Sequence, residues 1–149
     1  MKIIDYSAEY KDKLLELSLE WLKRYNLLED VDIEMVSNPE RMIDGGGQVF
    51  LAQTEDGETI GMVMVEDQGE ACEILKLAVK ESARGMGAGQ MLMETALQFI
   101  RSKGKKKAVL CTNHKLEAAR HIYEKLGFQY IEYEKNHFDL SDISMELVL

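Results

Sequence analysis

Six residues, Arg84-Gly85-Met86-Gly87-Ala88-Gly89, narrow the choice of fold more than any other part of this chain. They follow an apolar run, Ile74 to Val79, that reads as a strand, and they open a run from about Gly87 to Ser102 that reads as a helix. A glycine-rich turn feeding a helix N-terminus points several main-chain N–H groups at one spot, and the helix dipole adds partial positive charge there. Such a spot suits a phosphate or pyrophosphate. Glycine is expected because a Cβ would block both the turn geometry and the close approach of a ligand.

The surrounding composition narrows the class. A length of 149 residues fits a single domain, here 1–149, around one core. The net charge of −9 argues against a nucleic-acid-binding surface. No apolar run approaches the roughly 18 residues of a membrane span, and Asp5 comes too early for a secretory signal, so the expected location is cytoplasmic. Cys72 and Cys111 form neither a disulfide framework nor a metal-ligand spacing.

Along the chain, Ile3, Ile4 and Tyr6 read as a short strand, and Ser7 as the cap of a helix carrying Leu14, Trp21, Leu22 and Tyr25. Asn38-Pro39 starts a second, short helix that ends at Gly45-Gly46-Gly47. This triple glycine precedes a strand, Val49 to Ala52, so no helix dipole backs it for phosphate binding. Asp56-Gly57 marks a hairpin between Val49–Gln53 and Thr59–Glu66. After Ile74–Val79 and the long helix come a strand at Ala108–Thr112, a helix at Lys115–Leu126 closed by Gly127, and strands at Phe128–Tyr133 and Ile143–Leu149. The order β-α-α-β-β-β-α-β-α-β-β predicts an α+β (mixed α/β) fold with helices on both faces of the sheet.

These residues resemble the Gcn5-related N-acetyltransferases, the GNAT superfamily. Its cofactor motif, Arg/Gln-x-x-Gly-x-Gly/Ala, is matched in order by Arg84, Gly87 and Gly89. The run Glu73 to Val79 resembles its fourth strand, and Ala118 to Phe128 its second signature helix, with a tyrosine four residues before Gly-Phe. The resemblance spans Ile3 to Leu149, and features around Trp21, Pro39 and Asp142–Leu147 resemble small bacterial members. It implies a mainly antiparallel sheet of about six to seven strands. In one departure, Leu116 stands where many relatives place a cofactor-touching asparagine; Asn113 is the candidate to take over that polar contact.

The resemblance further implies acetyl-CoA as cofactor, a primary amine, most simply of a small molecule, as acceptor, and no metal. Main-chain amides of Gly85, Met86, Gly87, Ala88, Gly89 and Gln90 would hold the pyrophosphate. Leu77, Ala78 and Val79 would pair with the pantetheine arm as an added strand, and a backbone N–H near Ala78 or Val79 would face the oxyanion. Tyr123 matches the family's general acid, and the small Ala119 on the same helix face leaves room for the cofactor chain. A neutral amine must attack, so a base is needed; Glu73 is the candidate, with Glu66 and Asp67 as rivals.

Other residues carry bland readings. Cys111 lies mid-strand, where inert cysteine is common. Lys103, Lys105, Lys106 and Lys107 read as a solvated run at a helix C-terminus. The acids Glu29, Asp30, Asp32 and Glu34 read as a loop beside the acceptor region, either solvated or recruiting a cationic amine. His137 reads as a surface residue or a second proton carrier. Arg120 and Lys125 are candidates to meet the adenosine phosphates. Relatives often form homodimers, which the sequence leaves open. The alternatives to an enzyme of small amines are a non-catalytic acyl-CoA-binding module on the same fold and a protein or peptide N-acetyltransferase; a dinucleotide oxidoreductase lacks the ribose-holding acid.

Overall fold

A computed structural model describes every residue except Asn136. Strand β1 (Lys2–Asp5) is followed by helices α1 (Lys11–Arg24), α2 (Asp30–Ser37) and α3 (Pro39–Asp44). A meander of β2 (Gln48–Gln53), β3 (Thr59–Asp67) and β4 (Ala71–Val79) leads to α4 (Ala88–Ser102). Then come β5 (Lys107–Thr112), α5 (Glu117–Lys125), β6 (Gln129–Ile131) and β7 (Ile143–Val148). The strands make one sheet in the order β1-β2-β3-β4-β5-β7-β6. Every neighbouring pair is antiparallel except β4 with β5. The expected mainly antiparallel sheet with helices on both faces is therefore present.

The two faces divide the core. α4 and α5 cover one: Leu92, Met93, Ala96, Leu97 and Ile100 of α4 and Tyr123 of α5 pack with Val63, Val65, Ile74 and Leu77 of the sheet. Burying each large side chain of α4 contributes about 1.5–3 kcal/mol, so this stripe, rather than helix propensity, fixes α4 in place. On the other face Leu14 and Leu17 of α1 and Val36 of α2 meet Val49, Leu51, Met62, Met64 and Leu75.

Two local expectations are corrected, and a third is corrected in part. Ser7 caps no α-helix; it precedes a 3-10 turn, Ala8–Tyr10, and its hydroxyl donates to Glu9 Oε1 at 3.1 Å. The acidic stretch read as a loop forms α2, whose first turn is closed by a capping box in which Asp32 Oδ2 accepts the Glu29 N–H at 2.8 Å. The lysine run is solvated as expected at Lys103, Lys106 and Lys107 and is drawn in only at Lys105, and all four make ion pairs: Lys105 and Lys103 lie 2.8 and 3.3 Å from Asp67, Lys106 3.1 Å from Glu70 and Lys107 3.2 Å from Glu146. The triple glycine has a purely architectural cause. A Cβ on Gly47 would stand 2.0 Å from the Val65 carbonyl oxygen, so only glycine lets the chain enter β2 this close to β3.

The Lys105 hydrogen bond, reinforced by the Gly69 N–H and Lys103, holds the Asp67 carboxyl down at about 2. A carboxyl whose folded pKa lies below its unfolded value contributes stability above the unfolded value and loses it as pH falls through the folded one. The stability gap between the native chain and Asp67→Asn should therefore be constant above about pH 5 and close between about pH 4 and 2. Urea melts at several pH values check this, and a gap unchanged at the acid end would remove these ion pairs from the account.

Candidate active site

β4 and β5 are laddered only at their beginnings, Ala71, Cys72 and Glu73 lying opposite Lys107, Ala108 and Val109. Further along, the β3–β4 register slips between Met62 and Met64, and Lys76 takes a left-handed φ of 56°. The bulge bends β4 away from β5, leaving the β4 edge from Ile74 onward without a ladder partner on that side. The gap opens into a narrow cavity of about 60 Å³. Leu77, Lys76, Asn113, Leu116 and Tyr123 are among its walls.

Tyr123 reaches this cavity from α5. It is 6% exposed, and its ring tilts against Phe128 at 6.0 Å between centroids. Burial alone raises its hydroxyl above the ordinary phenol pKa, so the hydroxyl keeps its proton throughout the neutral range. Ala119, one turn earlier, is half-buried between the main core and the Leu22–Leu27–Leu116 cluster. Leu116 thus makes an apolar wall against α1. Both ends of the Asn113 amide are occupied by main chain: Nδ2 donates to the Leu140 carbonyl at 2.6 Å and Oδ1 accepts the Lys115 N–H at 2.9 Å. Its polar groups hold the β6–β7 segment over the cavity.

The glycine turn is built by conformation rather than by space. Gly85 and Gly87 have φ of 83° and 82°, values that L side chains rarely adopt, yet a Cβ at either would meet nothing within 4 Å. Gly87 is the N-cap, so α4 starts at Ala88, and the N–H groups of its first turn have no intrahelical acceptor. Gly89 serves packing, since a Cβ there would approach Ile122 Cδ1 of α5 to 2.9 Å. Met86 is 50% exposed. Arg84 donates from Nη2 to Tyr25 Oη at 2.5 Å, and Gln90 from Nε2 to Glu94 Oε1 at 2.9 Å. Arg120 folds back onto the His114 carbonyl at 2.9 Å.

Leu77, Ala78 and Val79 lie along the β4 edge; Ala78 and Val79 pair with Met62 and Gly61 of β3, and Leu77 sits in the bulge. Glu73 is 4% exposed and accepts a hydrogen bond from Gln68 Nε2 at 2.7 Å. The same amide nitrogen donates to Glu66 Oε1 at 2.8 Å, which lies 3.3 Å from His137 Nε2. Glu66, Glu73 and His137 present ligand-type atoms within 4.8 Å of one another. Glu73 does not share the walls of the Tyr123 cavity; it lines the adjoining cleft with Gln68 and His137, and Cys111 borders both. Of its rivals, Asp67 is committed to its two lysines. Burial pushes the Cys111 thiol up, which keeps it protonated and a poor nucleophile.

One residue of the cavity, Lys76, carries no role in the sequence reading, and its partner Asp32 enters that reading only as one of four acids either solvated or recruiting a cationic amine. Lys76 and Asp32, 7% and 2% exposed, form an ion pair at the cavity wall. Burial pulls the Lys76 amine down, while Glu29 and the touching Asp32 carboxylate oppose it and favour the ammonium. The Phe138 ring covers the same ammonium at 4.2 Å. The Glu29 carboxylate accepts the N–H groups of Asp139 and Leu140 at 2.9 and 3.2 Å, tying the β6–β7 segment to the start of α2. The signal was a single lysine inside the apolar run Ile74–Val79, an unusual place for an uncompensated charge.

Comparison with known proteins places this geometry in a family. The pattern of the Acetyltransferase (GNAT) family matches residues 12–128. The chain belongs to that family, whose acyl donor is acetyl-CoA. It is 27% identical over 126 residues to an uncharacterized N-acetyltransferase of Schizosaccharomyces pombe, covering 81% of this chain and 77% of that one. It spans about half the length of several further curated relatives. Its fold superposes on a GNAT-family acetyltransferase from Staphylococcus aureus Mu50 with a TM-score of 0.88, 22% identity, and coverage of 97% and 96%. A phosphinothricin acetyltransferase from Sinorhizobium meliloti, solved with acetyl-CoA, gives 0.80, 16% identity, and coverage of 99% and 88%. No helix among the described residues is long and apolar enough to cross a membrane.

Proposed function

We propose that this chain moves an acetyl group from acetyl-CoA to the primary amine of a small molecule, by direct attack, with Tyr123 as general acid. The observation that carries the reading is the cavity in the β4–β5 gap with a buried, protonated phenol in its wall. Left-handed Gly85 and Gly87 with open space around them, and the free amides of the first α4 turn, suit a diphosphate. The unladdered edge at Leu77, Ala78 and Val79 suits the amide-bearing pantetheine arm, which would run past Ala119 and Asn113. The coenzyme supplies the acetyl thioester. The chain's own groups then do three things. A main-chain N–H near Ala78 or Val79 faces the developing oxyanion. Tyr123 Oη gives a proton to the departing sulfur. Glu73 takes the amine proton through water from the cleft bordered by Cys111. The expected setting is the cytoplasm.

Titration calorimetry with acetyl-CoA, followed by free-thiol release with a panel of amines, tests this. Binding together with thiol release that needs an amine is expected. Absence of coenzyme binding sinks the reading altogether, and binding without turnover on any amine leaves a non-catalytic coenzyme-binding domain instead.

A further inference from the structure

We infer that the acceptor is a zwitterion, an α-amino acid or a molecule with the same amine-beside-carboxylate head, read by the Lys76–Asp32 pair. This deepens the acetyl-transfer reading and rests on it.

A buried ion pair is an expensive wall for a cavity, because desolvating both charges offsets much of their attraction unless further hydrogen bonds complete the site. Here they are incomplete. Among the described residues Asp32 Oδ1 has Lys76 as its sole partner. The Lys76 ammonium has three N–H donors. One faces Asp32, the Phe138 ring covers another side, and no second acceptor among the described residues reaches it. Both residues nevertheless line the cavity that Tyr123 lines. A carboxylate entering there finds an unused donor on Lys76, and an ammonium finds Asp32 with Glu29 beyond it.

Only a ligand with both charges fits both groups. A simple cationic amine must compete with Lys76 for Asp32, and a polyamine brings a second cation against Lys76. A simple acid meets Asp32 and Glu29. Each of these leaves one buried charge worse off, whereas a zwitterion extends the pair into a four-charge square. Position agrees with chemistry. Lys76 immediately precedes Leu77, where the β4 edge is open, and the amine of an α-amino acid lies two bonds from its carboxyl carbon. Anchoring the carboxylate on Lys76 therefore leaves the amine beside that edge.

The test compares the standard L-amino acids with their C-terminal amides, and with butylamine and putrescine, as acceptors for acetyl-CoA. At least one free acid should exceed its own amide in kcat/KM by about a hundredfold, since a site built around buried polar groups rejects an analogue that leaves them unpaired. In the double variant Asp32→Leu/Lys76→Met that preference should shrink to within about threefold, with acetyl-CoA binding retained, because the paired charges are removed together. Amides or simple amines used as well as acids, or an acid preference intact in the double variant, would overturn the inference while leaving acetyl transfer standing. If the double variant does not fold, the acid-to-amide ratio of the native enzyme decides alone. If no amine is acetylated although acetyl-CoA binds, the fault lies in the proposed function. The inference is then decided by titrating the same acids and amides into the coenzyme-loaded protein, where an acid no tighter than its amide overturns it and one about tenfold tighter sustains it.

Discussion

Tyr123→Phe should lower turnover about a hundredfold and leave acetyl-CoA affinity within about twofold. The change deletes one oxygen from a ring that is otherwise packed against Phe128, so the wall of the cavity keeps its shape. In the proposed role the hydroxyl acts when a thiolate departs, a charge that exists only on the way to products, so its loss should fall on kcat. The buried phenol holds its proton well above neutrality, so the native pH profile should show no descending limb from Tyr123 below about pH 10. Stopped assays of thiol release, with calorimetry for the coenzyme, separate the two quantities. A phenylalanine enzyme with native turnover would take Tyr123 out of the chemistry.

Breaking the Lys76–Asp32 pair on one side should have the largest effect on stability. Lys76→Met leaves the Asp32 carboxylate, which is almost fully enclosed, without its counter-charge. The expected cost is about 3–5 kcal/mol, on the order of 10 °C in melting temperature for a chain of this size. Replacing both residues with apolar ones should recover part of it, because no charge is then stranded although the Asp32 cap on α2 is lost. Chemical denaturation of the two single variants and the double variant measures the coupling. Additive losses would show that the two groups do not interact in the folded chain.

What could be read from the sequence was local. Gly85 and Gly87 announced a turn ahead of a helix, and the apolar run Ile74–Val79 announced a strand, because backbone sterics and burial act over a few residues. Tyr123 was legible through a motif spacing, but its near-complete enclosure comes from Phe128 and the sheet. α2 was hidden because its acids suggested solvent, whereas Asp32 turns inward to close a capping box and meet a lysine from another element. The bulge at Lys76 was equally hidden. A positive φ at a lysine is imposed by the misregister between β3 and β4, and nothing in the neighbouring residues encodes it. The separation of Glu73 from the Tyr123 cavity likewise follows from how β4 leaves β5, a long-range property.

The short β4–β5 ladder has a mechanical consequence. Four strands on one side and three on the other are stitched by just three residue pairs, so the molecule resembles a book with a narrow spine. Main-chain groups beyond the spine need partners, and an amide-bearing ligand laid between the covers would supply the missing rungs. If the proposed coenzyme lies there, occupancy and rigidity should rise together: amide hydrogen exchange along β4 and β5 is expected to slow when acetyl-CoA is added.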